Sequence, residues 1–294
     1  MWWNLFPQFF VSGITSGSLY ALIALGYCLI QNATGLVNFA QGEFVMLGAM
    51  TAIALRQAVP SLPLPVVFAL SMVLVALVGI LLERGPLRRS RNRDILTLVM
   101  ITVGASISLR GATMLLWGKN AHAFPPLGGS TPMLFWKAAV VPQTLWILFL
   151  SVVVLVLLYG FYHHTLLGKA MRGAADNPVG ATLIGISVGR LVALAFGMSG
   201  ALGALAGILI TPLTTMSYDT GLMLGLKGFA GAILGGYGSV PGAVAGGLLL
   251  GILESFGAGF ISSAYKDALA FLILLGILFL RPAGLFGSKT VRRL

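Results

Sequence analysis

The apolar residues of this chain come in long blocks, not in the one-sided stripe of a helix that lies on a water-facing core. Blocks at 9–30, 66–82, 95–117, 144–162, 191–210 and 267–280 have lengths suited to membrane-crossing helices. A further apolar helix, ending near Arg56, follows directly on the polar break QNATGLVNFAQGEF. The stretch LMLGLKGFAGAILGGYGSVPGAVAGGLLLGILESF is too long for one crossing and is interrupted by GGYGSVPG, which predicts two helices meeting at a Gly-Pro break. The pattern thus predicts nine crossings, or eight if one broken segment turns back within the membrane. In lipid only helices or closed barrels satisfy their backbone, and a barrel would need period-two alternation, so strands are not expected. The expected class is an all-α polytopic transmembrane bundle of about 8–9 spans with broken or re-entrant helices, a single domain over 1–294.

Composition agrees with this pattern. Only 9% of the 294 residues are charged, against roughly 25% in soluble domains. A net charge of +11 would suggest a nucleic-acid partner in a soluble protein, but here the basic residues cluster by side. Twelve of the 18 fall in three segments: Arg84, Arg88, Arg89, Arg91 and Arg93; Lys169, Arg172 and Arg190; and Arg281, Lys289, Arg292 and Arg293. Arg56, Lys119, Lys137 and Lys266 fall on the opposite side, and Arg110 and Lys227 within spans. The bias predicts a multi-pass protein with its N-terminus outside, its C-terminus inside and no nucleic-acid partner. The lone cysteine, Cys28, lies in an apolar run, so no disulfide framework or metal cluster is expected. MWWNLFPQFF lacks a basic n-region and a cleavage site, so no removable signal peptide is expected.

Candidate chemistry falls in two places. The segment 168–190, GKAMRGAADNPVGATLIGISVGR, is polar and rich in small residues between two apolar blocks. Asn177-Pro178 is a helix-start signal, with Asn as cap and Pro at the first helical position. The short helix it opens, reaching Gly185, reads equally as part of a loop and as a docking surface outside the membrane. The second place is the set of ionisable residues at membrane depth, Glu43, Arg110, Lys227 and Glu254, each of which needs a partner there. Lys227 and Glu254 lie on the two arms of the broken segment and are expected to pair as a structural hairpin contact. Asn38, Gln41 and Glu43 gather at the other break, where Glu43 also suits the positive end of a starting helix. A loose echo, LVNFAQGEFVMLG against LKGFAGAILGG, places one break in each half, as in transport proteins whose path runs between broken helices. Small residues four apart (Ser199, Gly203 and Gly207; Gly238, Gly242 and Gly246; Gly247 and Gly251) read first as close helix packing. GxxxxGK[ST], GxSxG and HExxH are all absent and only seven acidic residues occur, so neither a nucleotide site of that type nor an enzyme is expected.

GLVNFAQGEFVMLGA, AADNPVGATLIGIS, LKGFAGAILGGYGSVPGAVAGGLLLGILES and RPAGLFG, in that order, resemble the inner-membrane permeases of branched-chain amino acid ABC importers. The likeness is to the shorter, H-type permease and runs from about Gly13 to Gly287. It implies an M-type partner permease, two cytoplasmic ATPase subunits, a periplasmic solute-binding protein and no cofactor. It also implies that 168–187 is a cytoplasmic coupling segment, with Gly168, Arg172, Ala174, Ala175, Asp176, Asn177 and Gly185 at the contact, and that Asn38, Gln41 and Glu43 line the translocation path. Gln41 stands where the family often has His, which removes a titratable group. A urea or short-amide permease of the same superfamily, and a stand-alone ion-coupled transporter, remain as alternatives.

Overall fold

The computed structural model describes residues 5–91, 94–129, 131–135, 138–281 and 283–286. Arg93, Lys137, Lys289, Arg292 and Arg293 of the charge tally, and Pro282 and Gly287 of RPAGLFG, lie outside the described residues. Among the described residues the chain forms α1 (Phe6–Thr34), α2 (Gln41–Ala58), α3 (Leu64–Leu82), α4 (Ile95–Trp117), α5 (Pro142–His164), α6 (Leu166–Asp176), α7 (Pro178–Leu183), α8 (Val188–Ile210), α9 (Thr220–Gly235), α10 (Val240–Phe260) and α11 (Lys266–Leu280). Seven helical stretches among the described residues are long and apolar enough to cross a membrane: α1, α3 with its extension, α4, α5, α8, α10, and α11 with the turn before it. Two further helices, α2 with 18 residues and α9 with 16, lie beside the polar breaks.

Three boundaries differ from the sequence pattern, each for a local reason. α1 continues through Gln31 and Asn32 to Thr34 and stops at Gly35, whose φ of 71° is left-handed. The polar residues stay helical because they have partners: Asn32 Nδ2 donates to Gly238 O at 2.9 Å, tying one break to the other. α3 runs on into a π-helical turn, Glu83–Leu87, where Pro86 cannot supply an amide to the ladder. Two short strands, β1 (Met133–Phe135) and β2 (Ala138–Val140), pair antiparallel with Met133 opposite Val140. They lie in the α4–α5 connection, where backbone groups outside the helices pair with each other. Gln8 on α1 holds this hairpin by exchanging two hydrogen bonds with Ala139, at 2.8 and 3.3 Å.

Burial divides the helices into an inner and an outer set. The most apolar window of α1 is 89% buried and that of α8 83%, whereas those of α4 and α11 are 11% and 12% buried. α2 is enclosed from Gln41 to Met50. Phe44 and Met46 on α2, Phe196 on α8, and Leu22, Leu25 and Leu29 on α1 are among its fully buried large side chains and their neighbours in the core. Within lipid this packing rests on close backbone approach, because lipid tails are as apolar as the side chains they would replace. The small residues provide it. Gly203 and Gly207 of α8 meet Phe44 and Val45 of α2, and a Cβ on Gly207 would overlap the Val45 carbonyl.

The neighbours repeat in a regular way. α1 runs antiparallel to α10, with Gly13 and Gly17 facing Ile252 and Leu248; α8 runs antiparallel to α3, with Phe196 and Gly200 facing Gly79 and Val75. α2 packs on α3 and α8 as α9 packs on α10 and α1, and α4 lies against α2 as α11 lies against α9. The set α1–α4 therefore corresponds to α8–α11, and α2 meets its counterpart α9 where Gly42 faces Gly221. This correspondence differs from the sequence echo. The echo matched Phe39-Ala40 with Phe229-Ala230, but the packing matches the start of α2 with the start of α9. Short runs of small residues align by composition at several registers, and backbone contact selects one of them.

Candidate functional site

The segment 168–187 folds as two short helices outside the long apolar ones. Thr165 caps α6, its Oγ1 accepting from Gly168 N at 3.0 Å. Asn177 ends α6 and caps α7, its Oδ1 accepting from Gly180 N at 2.8 Å, with Pro178 at the first position. Gly185 leaves α7 with φ 85°, a left-handed value that favours glycine.

The expected contact residues divide by face. Gly168 and Ala174 are buried against the chain itself, with Met171 between them, and Gly168 lies on the backbone of Phe161 and Tyr162. Arg172, Ala175, Asp176, Asn177 and Gly185 are exposed. Sequence reasoning passed over Val179, Leu183 and Ile184 as contact residues, yet they are 71%, 83% and 77% exposed. The signal was available: three large apolar side chains on a helix too short to span and flanked by polar residues.

Asn38, Gln41 and Glu43 come together at the start of α2, but each is buried. Asn38 Oδ1 accepts from Ala40 N at 3.1 Å. Gln41 reaches α8: its Oε1 accepts from Ser199 Oγ at 2.5 Å and its Nε2 donates to Ser199 O at 3.2 Å. Glu43 Oε1 accepts from Arg110 Nη2 at 2.7 Å and Ser106 Oγ at 2.9 Å, both on α4. The charge of Glu43 therefore meets a guanidinium as well as a helix end. Both ions had been singled out from the sequence, but not as partners.

The second intramembrane group joins α1, α9, α10 and α11. Lys227 Nζ lies 2.7 Å from Glu254 Oε1 and 2.7 Å from Asp267 Oδ1. Tyr20 Oη donates to Glu254 Oε2 at 2.7 Å, and the Lys227 ammonium stands 5.6 Å from the Tyr20 ring centroid. Asp267 and Tyr20 are the members that sequence reasoning missed; Asp267 begins the last helix and read as an end residue, and Tyr20 lies within an apolar block. This group borders a cavity of about 530 Å³, and Asn38, Gln41 and Glu43 are not among its lining residues. Among the described residues no group of His, Cys, Asp and Glu could hold a metal ion.

Residues 9–278 match the family described as branched-chain amino acid transport system / permease component. The chain is 36% identical to the high-affinity branched-chain amino acid transport system permease protein BraD of Pseudomonas aeruginosa, over 97% of each chain. It is 32% identical to the corresponding permease protein LivH of Escherichia coli, over 98% of this chain and 97% of that one. Among solved structures it is similar to PsaBC from Streptococcus pneumoniae in complex with Fab, with a TM-score of 0.51 over 92% of this chain and 91% of that one. At 13% identity, that likeness concerns the fold alone.

Proposed function

Because the chain belongs to the family of branched-chain amino acid transport permease components, we propose that it is the membrane-spanning H-type subunit of an ATP-driven importer for branched-chain amino acids. It works in the bacterial inner membrane, with its N-terminus periplasmic and its C-terminus cytoplasmic. Its partners are an unlike M-type permease, two cytoplasmic ATPase subunits and a periplasmic binding protein that delivers the amino acid. ATP is hydrolysed in the partner subunits. The segment 168–187 is the coupling segment, within a chain that acts as one transmembrane unit.

The observation that carries this reading is the exposed face of α7. Val179 and Leu183 on a six-residue helix held outside the bundle, with Ile184 at its end, make an apolar interaction surface. Asp176 and Arg172 beside them supply polar contacts at its rim. Closure of an ATPase dimer seated there would act on α6, which is anchored to α5 through Thr165 and Gly168. Coupling requires two states of the bundle that bind the closed ATPase dimer differently, and a differential contact at α7 provides that. Gln41 and Glu43 act from behind the wall of the path, fixing α2 to α8 and α4, while Asn38 turns the chain into α2 by accepting from Ala40 N. Glu43, which a stand-alone ion-coupled transporter would need free, already accepts from Arg110 and Ser106.

Co-purification from membranes tests this reading. ATPase subunits should accompany the intact chain and be lost with Leu183→Asp combined with Ala175→Arg, both at exposed positions. Ala174→Arg is a poor probe, since Ala174 is buried and its loss would report misfolding. If the doubly substituted chain retains the ATPase subunits and imports leucine normally, α7 is not the docking surface.

A further inference from the structure

The cavity beside Lys227 lies between the first half of α1, the first turn of α5, the end of α8, and α9, α10 and α11. At about 530 Å³ it falls within the size of small-molecule sites, roughly 300–1,000 Å³. Its lining combines two chemistries. Lys227, Lys266, Glu254 and Asp267 contribute two positive and two negative charges, so the set is neutral. Leu19, Leu213, Met223 and Leu224 are among its apolar residues.

We propose that this cavity is a transient binding site for a zwitterionic amino acid with an aliphatic side chain, a way-station for the importer substrate inside the permease. The inference rests on the importer reading and adds the place and chemistry of contact. An ammonium has three donors; Lys227 donates one to Glu254 and is ion-paired with Asp267. A substrate carboxylate can take a remaining donor. Asp267 keeps 35% of its side chain exposed, so it can exchange its ion pair with Lys227 for one with the substrate ammonium. A zwitterion makes both exchanges without leaving an unpaired charge in the membrane. A cationic or anionic amino acid would leave one, which is costly in a low-dielectric site. The aliphatic side chain meets the leucines and Met223. Because Lys227, Glu254 and Asp267 are already paired with one another, binding at them replaces contacts instead of adding them and is weak, as passage requires.

Thiol protection tests the site in membranes containing the full chain with its partners. Cys28 is the only cysteine in the sequence and is fully buried, so Ser12→Cys, at an exposed position lining the cavity, places this chain's sole accessible thiol there, and labelling is read on this chain. L-leucine should slow its modification by a small methanethiosulfonate several-fold, whereas L-lysine and L-glutamate should not. Adding Asp267→Asn should abolish the protection while leaving the rate without leucine unchanged, which shows that the cavity still forms. Ser16→Trp, which fills the cavity from α1 without altering a charge, should abolish it too. Absence of leucine protection in membranes that import leucine with ATP overturns the site and leaves the importer reading standing. Equal protection by lysine or glutamate also overturns it. Protection without any ATP-dependent import supports the site and removes the importer reading.

Discussion

The two halves of the molecule each carry an ion pair at membrane depth, and the two are built differently. Glu43 and Arg110 join α2 to α4; Lys227 joins α9 to α10 and α11. In both halves the contact runs from a short inner helix to the outermost one, and α4 and α11 are the helices with the least buried apolar windows. A helix with lipid on most sides gains little from apolar packing, so a polar contact is what fixes its place. The charges are reversed between the halves, acid on α2 and base on α9. The surroundings differ more. Glu43 is 1% exposed and does not line the cavity of about 530 Å³ that Glu254 and Asp267 border. An enclosed pair can only hold or break. A pair beside water can change partners.

Substitutions should separate these two roles. Arg110→Met leaves Glu43 charged and buried with Ser106 alone, and the expected cost is the largest, about 3–5 kcal/mol. It should appear as a lower thermal midpoint of the detergent-extracted protein, most of it recovered by adding Glu43→Gln. A single variant as stable as the double would show that the pair does not hold α4. Lys227→Met should cost less, about 2–3 kcal/mol, because the cavity admits water to Glu254 and Asp267. The same thermal assay decides it, and a loss equal to that of Arg110→Met would erase the contrast between the halves. Gln41→Leu removes both contacts to Ser199 but leaves Ser199 Oγ bonded to Gly26 O at 2.9 Å. A loss of about 1–2 kcal/mol is expected, read as the difference in thermal midpoint between the intact chain and Gln41→Leu. Asp267→Asn, the most exposed member, should change stability by less than about 1 kcal/mol yet abolish leucine protection of the Ser12→Cys thiol. A large stability loss there would make Asp267 a structural residue like Arg110.

Much of this arrangement could be read from the chain, and its limits have physical causes. Apolar block length located the long helices because a bilayer has a fixed thickness. The Asn177-Pro178 cap was legible because capping is local. The partner of Glu43 was not, since 67 residues separate it from Arg110 and only the packing of α4 on α2 brings them together. The same holds for Asp267, which meets Lys227 across 40 residues once α11 folds back onto α9. The partner of Gln41 was not legible either: Ser199 lies 158 residues on, and the contact forms only when α2 and α8 lie side by side.

The elbow between α5 and α6 has a mechanical consequence. Thr165 Oγ1 donates to Phe161 O at 2.6 Å and accepts from Gly168 N, and Gly168 rests on the backbone there, so the bend is stiff. α5 is a rod of 23 residues, about 34 Å long. Its far end carries Thr144, which lines the cavity, and Gln143, which donates to Leu209 O at 2.8 Å. A tilt of about 5° imposed at the elbow would displace that end by about 3 Å. Leverage alone would thus convert a small push at the surface into a movement the size of a hydrogen bond on the opposite side of the membrane.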